Sequence, residues 1–267
     1  MMMRGMDSTS CRKVVSWRWF MSFKAKSKSD AVLCPCDKVP NLGPPMEEHN
    51  RTQIAYGEDY LPAIFIKPEG AKLGLVLAHG AGAGMEHPFM EAFAQGLAAR
   101  GVATLRWNFP YMAAGKKRPD SPKVALAAWE AVAKEAPKLS ADLKWFAGGK
   151  SFGGRMASLA AAEGRLSADI QGLVFVGFPL HAAGKPSTKR ADHLPNLGLP
   201  SLFLQGTRDA LADLTLLEPL VKGLPTATIR IFEGADHSFK MLKRSGISDE
   251  AMLNEIMDAT VEWLQKY

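Results

Sequence analysis

The pentapeptide Gly149-Lys150-Ser151-Phe152-Gly153 sets one serine between two glycines, each two positions away. An apolar run at residues 143–147 precedes it and a helix-forming run at 155–163 follows, so the serine falls on a strand-to-helix turn. Such a turn has to be sharp, and flanking glycines let the strand and helix backbones pass close together. The helix N-terminus beneath adds partial positive charge where an oxyanion would form. This is a setting for a nucleophilic hydroxyl, which still needs a base and a group to orient that base.

Six histidines are available: His49, His79, His87, His181, His193 and His237. His237 follows the last strand-like run, residues 228–232, and so belongs at the same sheet edge as Ser151. Asp209, in Gly206-Thr207-Arg208-Asp209, follows another strand-like run and is the candidate acid. Asp236 adjoins the histidine, and neighbouring side chains diverge; Asp213 belongs in or near the first turn of a helix. The oxyanion donors expected are the backbone N–H groups of Phe152 and Ala81, the latter in the small-residue loop 79–84. His79 reads as a support for that loop. Arg106, Tyr111, Lys150 and Arg155 lie near these positions in sequence and are candidate pocket residues, the cations suiting an anionic substrate or serving as surface charge. His181 and His193 read as solvated residues of a polar loop.

Other chemistries fit less well. Gly80-x-Gly82-x-Gly84 follows a strand, but its spacing is not that of a dinucleotide loop and no acid stands at the end of the next strand. Neither glycine run fits a P-loop. Cys34-Pro35-Cys36 lacks the second pair of ligands a zinc site needs. No metal and no organic cofactor is expected.

The elements that must position the candidates alternate between strand and helix. Strand-like runs are expected at 61–66, 73–78, 102–107, 143–147, 170–178, 202–205 and 228–232. Helices are expected at 87–100, closed by Gly101, at 123–135, stopped before Pro137, and at 155–163, 212–221 and 249–265, the last capped by Ser248. Residues 109–122 and 181–199 read as loops, short for a lid. The pattern is α/β: a mainly parallel sheet with helices on both faces.

The net charge of +6 is concentrated at one end. Residues 1–45 hold eight Lys/Arg against three acids and all three cysteines, leaving the remainder close to neutral. They read as a basic, disordered extension ahead of one folded domain at 46–267, with no charge argument for nucleic-acid binding. No run of about 18 apolar residues suggests a membrane span. Odd cysteine usage fits a reducing compartment, so a cytoplasmic protein is expected, although residues 14–23 have the basic and aromatic composition of an organelle-targeting helix.

Taken together, His79-Gly80-Ala81-Gly82-Ala83-Gly84-Met85, Arg106-Trp107-Asn108-Phe109-Pro110-Tyr111, the Gly-Lys-Ser-Phe-Gly-Gly elbow, Gly206-Thr207-Arg208-Asp209 and Ala235-Asp236-His237 resemble the α/β-hydrolases over about residues 52–267. The resemblance is to the branch that includes testis-expressed protein 30 and its bacterial relatives, near the dienelactone hydrolases. It implies the α/β-hydrolase fold and a Ser151–Asp209–His237 site, in the chain order that fold uses. The activity expected is cleavage of a small ester, thioester or related acyl bond through an acyl-enzyme. The alternative is a non-catalytic member acting as a binding or interaction subunit. Oligomeric state is left open.

Overall fold

The computed structural model describes residues 50–267; the basic extension expected at 1–45 lies outside the described residues. Eight strands form one sheet in the order β1-β2-β4-β3-β5-β6-β7-β8. The strands are β1 Asn50–Tyr56, β2 Asp59–Ile66, β3 Leu73–Ala78, β4 Val102–Trp107, β5 Lys144–Lys150, β6 Ile170–Val176, β7 Ser201–Arg208 and β8 Ala227–Asp236. β1 and β2 pair antiparallel, as do β2 and β4. Every pairing from β4 through β3, β5, β6 and β7 to β8 is parallel.

Parallel strands need crossover helices, and these cover the sheet on two faces. The helices are α1 Pro88–Ala98, α2 Pro110–Ala113, α3 Pro122–Leu139, α4 Phe152–Ala162, α5 Leu214–Lys222 and α6 Asp249–Leu264. On one face Phe93 and Leu97 of α1 and Ile256 and Trp263 of α6 pack with Leu75, Phe146, Val174 and Leu202 of the sheet. On the other, Trp129 and Val132 of α3, Met156 of α4 and Leu217 of α5 pack with Val76, Leu105, Ala147 and Phe203. Central strands buried on both faces read as continuous apolar runs for this reason.

The chain leaves β3 outward to β4 and then returns across it to β5. The connections after β3 and β5 therefore depart to opposite sides, which opens a crevice at their C-terminal ends. Ser151 directly follows β5 and the loop 79–84 directly follows β3, so the two meet at that crevice.

Several boundaries differ from expectation. β1 is an added edge strand whose sequence, NRTQIAY, buries Ile54 but little else. Residues 110–113 form the short helix α2 instead of loop. α3 continues through Pro137 to Leu139. A proline there removes the N–H that would bond the Ala133 carbonyl and crowds that carbonyl, but only two helical residues follow it. The apolar stripe Ala125, Ala128, Trp129, Val132, Ala133 and Ala136 carries the helix past it. Ser248 caps α6 as expected, accepting from the Ala251 N–H at 3.0 Å. The 181–199 segment holds two 3₁₀ turns, Lys189–Ala191 and Leu194–Asn196, and no lid domain. Among the described residues no helix is long and apolar enough to cross a membrane.

Candidate active site

Ser151 stands between β5 and α4 with φ 49° and ψ −113°, a backbone conformation that L-residues rarely adopt. Its N–H donates to Val176 O at 3.1 Å and its carbonyl accepts the Arg155 N–H at 3.0 Å, so neighbouring elements hold the turn from both sides. The glycines flanking the turn are required by contact. A Cβ on Gly149 would lie 2.3 Å from Ala78 O, and one on Gly153 would lie 2.5 Å from Ala78 O and 2.6 Å from His79 O. Both neighbours are backbone of β3 and the loop after it, which cannot swing aside as a side chain could. Gly153→Ala should therefore cost about 3 kcal/mol and lower the melting temperature by about 10 °C, as overpacking against backbone does. A thermal melt equal to wild type would show that the elbow is looser than this geometry requires.

The serine Oγ is 2.8 Å from His237 Nε2, and His237 Nδ1 is 2.7 Å from Asp209 Oδ2. Ser151 and His237 are partly exposed, while the Asp209 side chain is fully buried. Asp209 follows β7 and His237 follows β8, adjacent parallel strands whose ends are drawn together at the Arg208–Asp236 pairing. The carboxylate accepts two further donors: Gln205 Nε2 at 2.5 Å on Oδ2 and the Leu211 N–H at 2.8 Å on Oδ1. Gln205 itself is anchored, since its Oε1 accepts the Phe178 N–H at 2.9 Å. Sequence reasoning missed Gln205. The signal was an amide side chain ending an apolar strand, where a buried polar group needs a partner.

Of the two weaker acids, Asp213 caps α5 by accepting from the Thr215 N–H. Asp236 accepts the N–H groups of Ser238 and Lys240 and shapes the turn that carries His237.

The loop after β3 abuts the serine: a Cβ on Gly80 would lie 3.7 Å from Ser151 Cβ. His79 is wholly buried beneath this loop, its Nδ1 2.8 Å from Gly80 O and its Nε2 accepting the Phe109 N–H at 3.2 Å. Burial pulls its imidazole down to about 4, so it is neutral near pH 7 and donates from Nδ1. Tyr111 Oη accepts the Gly82 N–H at 3.0 Å. These bonds stiffen the segment that contains Ala81, leaving Ala81 exposed at the cleft. Phe152 is the first residue of α4, so its N–H has no acceptor within the helix.

Ser151 and His237 open onto a cleft of about 810 Å³. Its walls include Phe89 and Met90 of α1, Leu211, Phe239 and Leu253 of α6; Lys240, Asp249 and Glu250 are at its rim. Ala81 and Lys150 also line it. Arg106, Tyr111 and Arg155 do not. Arg106 is buried in β4 and its guanidinium donates to Met85 O at 3.0 Å. Tyr111 is buried where it holds the loop just described. Arg155 lies on α4 beside His193, away from the cleft; burial first and then Arg155 pull His193 down to about 4. His181 is buried, its Nε2 accepting the Asp213 N–H, and His193 is half-buried with its Nε2 2.6 Å from the buried Ser158 Oγ. Three cations near the site are committed to backbone carbonyls: Arg106 to Met85 O, Lys150 to His237 O and Arg208 to Gly234 O.

A family model described as an alpha/beta hydrolase domain matches residues 71–265. Among solved structures, the chain is similar to a dienelactone hydrolase from Anabaena variabilis, at 22% identity and TM-score 0.65, covering 82% of this chain and 98% of that one. It is also similar to Est1E from Butyrivibrio proteoclasticus bound to ferulic acid, at 18% identity and TM-score 0.61, covering 78% and 98% respectively. A third match is a Xanthomonas campestris serine hydrolase described as lacking a lid, at 18% identity and TM-score 0.63, covering 81% and 95%. At these identities the likeness speaks to the fold alone.

Proposed function

This chain belongs to the α/β-hydrolase domain family, and on that premise we propose that it is a serine hydrolase cleaving a small ester, thioester or related acyl bond. The observation that carries this reading is the unbroken chain from Ser151 Oγ through His237 to Asp209, with contacts of 2.8 and 2.7 Å and the serine open to a cleft. In this mechanism His237 Nε2 takes the serine proton as Oγ attacks the acyl carbon, then returns it to the leaving group as the tetrahedral intermediate collapses. Water next attacks the acyl-enzyme, with His237 again as base, and Ser151 is regenerated. Asp209 keeps the imidazole in the tautomer with Nδ1–H and stabilises its charged form. The N–H groups of Phe152 and Ala81 are the proposed oxyanion donors; the free first-turn N–H of α4 and the stiffened loop support that pair.

The mainly apolar cleft wall favours a neutral acyl or alcohol group over an anionic one. The absence of a lid domain between residues 181 and 199 favours a small, freely entering substrate. The motif set supports placement in the branch with testis-expressed protein 30 and its bacterial relatives, and the hydrolase domain is taken as residues 46–267.

A fluorophosphonate probe tests the reading. Purified protein should acquire one adduct, mapped by mass spectrometry to Ser151, and the Ser151→Ala variant should acquire none. Folded protein that resists the probe would instead support a non-catalytic binding member of the family.

A further inference from the structure

Lys150 immediately precedes the serine, yet its side chain reaches the histidine. Its Nζ donates to the main-chain oxygen of His237. It also stands over the rings of Phe89 and Phe239, 5.8 and 5.6 Å from their centroids. The residue is buried, and among the described residues no carboxylate forms an ion pair with it. A buried ammonium without an acid in contact is unfavourable for folding, which calls for a reason to keep it.

The turn it grips supplies that reason. Phe239 has φ 60°, a left-handed conformation uncommon for a bulky residue. Bonds within the turn hold it locally: the Asp236 carboxylate accepts from Ser238 and Lys240, and Asp236 O accepts the Phe239 N–H at 2.9 Å. Lys150 adds a tie from outside, and that tie comes from the strand that carries the nucleophile. One side chain thus joins the backbone next to Ser151 to the backbone of His237. Gly177, at the end of β6, leaves room for it, since a Cβ there would stand 2.9 Å from Nζ and 3.3 Å from His237 O.

We infer that Lys150 is a positioning residue for His237: its ammonium, bonded to the His237 carbonyl and resting on Phe89 and Phe239, fixes the separation of serine and histidine and the aromatic wall of the cleft. This rests on the hydrolase reading above. Burial pulls the Lys150 ammonium down to about 8, with Asp209 and Asp236 acting in the opposite direction, so the tie should weaken just above neutral pH. The charged and titratable groups around it are Asp209 after β7, Asp236 and His237 at the end of β8, and His87, Lys240, Asp249 and Glu250 along the same cleft.

The test measures fluorophosphonate labelling of Ser151 as kinact and KI from pH 6 to 9.5, for the wild type, Lys150→Met and Lys150→Gln, each checked for folding by thermal melt. Loss of the tie should lower kinact by about 10- to 100-fold, the scale of a misplacement near 1 Å, with KI within about twofold. Lys150→Gln keeps a donor and should recover part of the loss. The wild-type kinact should fall through pH 8, and both variants should lack that limb. A folded Lys150→Met protein that labels at the wild-type rate would overturn the inference. Wild-type protein that does not label at all would overturn the hydrolase reading, and this inference with it.

Discussion

Ser151→Gly should raise the melting temperature by about 2–5 °C while removing turnover. The serine is held at φ 49°, ψ −113°, a strained conformation that costs about 1–3 kcal/mol for a residue with a Cβ. Glycine adopts it freely and loses part of that gain to its greater freedom when unfolded, roughly 0.5–1 kcal/mol. For a domain of this size, 1 kcal/mol moves the melting temperature by about 2–4 °C. Ser151→Ala keeps the Cβ and the strain, so its melt should match wild type. Both variants lose Oγ, and hydrolysis of a short-chain p-nitrophenyl ester should fall about 10⁴-fold or more in each. The pair separates two claims. A glycine variant that melts no higher than the alanine variant would show that the elbow stores no strain. An alanine variant with near wild-type turnover would remove Ser151 from the chemistry.

The same turn shows which parts of this molecule can be read from residue order. Gly149 and Gly153 are spaced by the elbow itself, and each is required by a backbone atom of the strand next door, so the local pattern and the tertiary contact coincide. The central strands β3, β4 and β6 are buried on both faces, and their unbroken apolar runs announce them. β1 pairs only with β2 at the sheet edge and buries one face, so its polar sequence carries little signal. Pro137 reads as a stop because a proline ends most helices, and the helix indeed runs only two residues past it, carried that far by the buried stripe that precedes it.

Ser151, Asp209 and His237 were legible because each follows a strand, and parallel strands deliver their C-terminal ends to one edge. The proposed pocket residues were harder, since proximity in sequence does not say where a side chain points. Arg106 sits on a buried strand face and Tyr111 turns inward under the loop. The cleft is instead walled by α1, the turn after β8 and α6, segments far apart in sequence that only the folded sheet brings together. Lys150 fell between these cases: its place beside the serine was visible, and its bond across to His237 was not.

Asp209→Asn should lower kcat by about 10³- to 10⁴-fold with KM changed little, the scale seen when a triad acid becomes an amide. The reason lies in the donors around the carboxylate. His237 Nδ1 and Gln205 Nε2 approach Oδ2, and the Leu211 N–H approaches Oδ1. A carboxylate can accept all three, whereas an asparagine must present its NH₂ to one side or the other. If the NH₂ replaces Oδ2, it confronts the Gln205 amide and gives His237 Nδ1 a donor, which moves the imidazole proton to Nε2 and leaves nothing there to accept the serine proton. If the NH₂ replaces Oδ1, it opposes the Leu211 N–H and pushes the side chain out of its buried seat. Both arrangements set donor against donor in a buried seat, so both damage the relay and lower the melting temperature. Steady-state hydrolysis of a short acyl ester, with a thermal melt on the same preparation, measures the two losses. A variant that retains more than a tenth of wild-type kcat would show that His237 needs no help from Asp209, and the reading of the three residues as one unit would fail even with Ser151 still labelled.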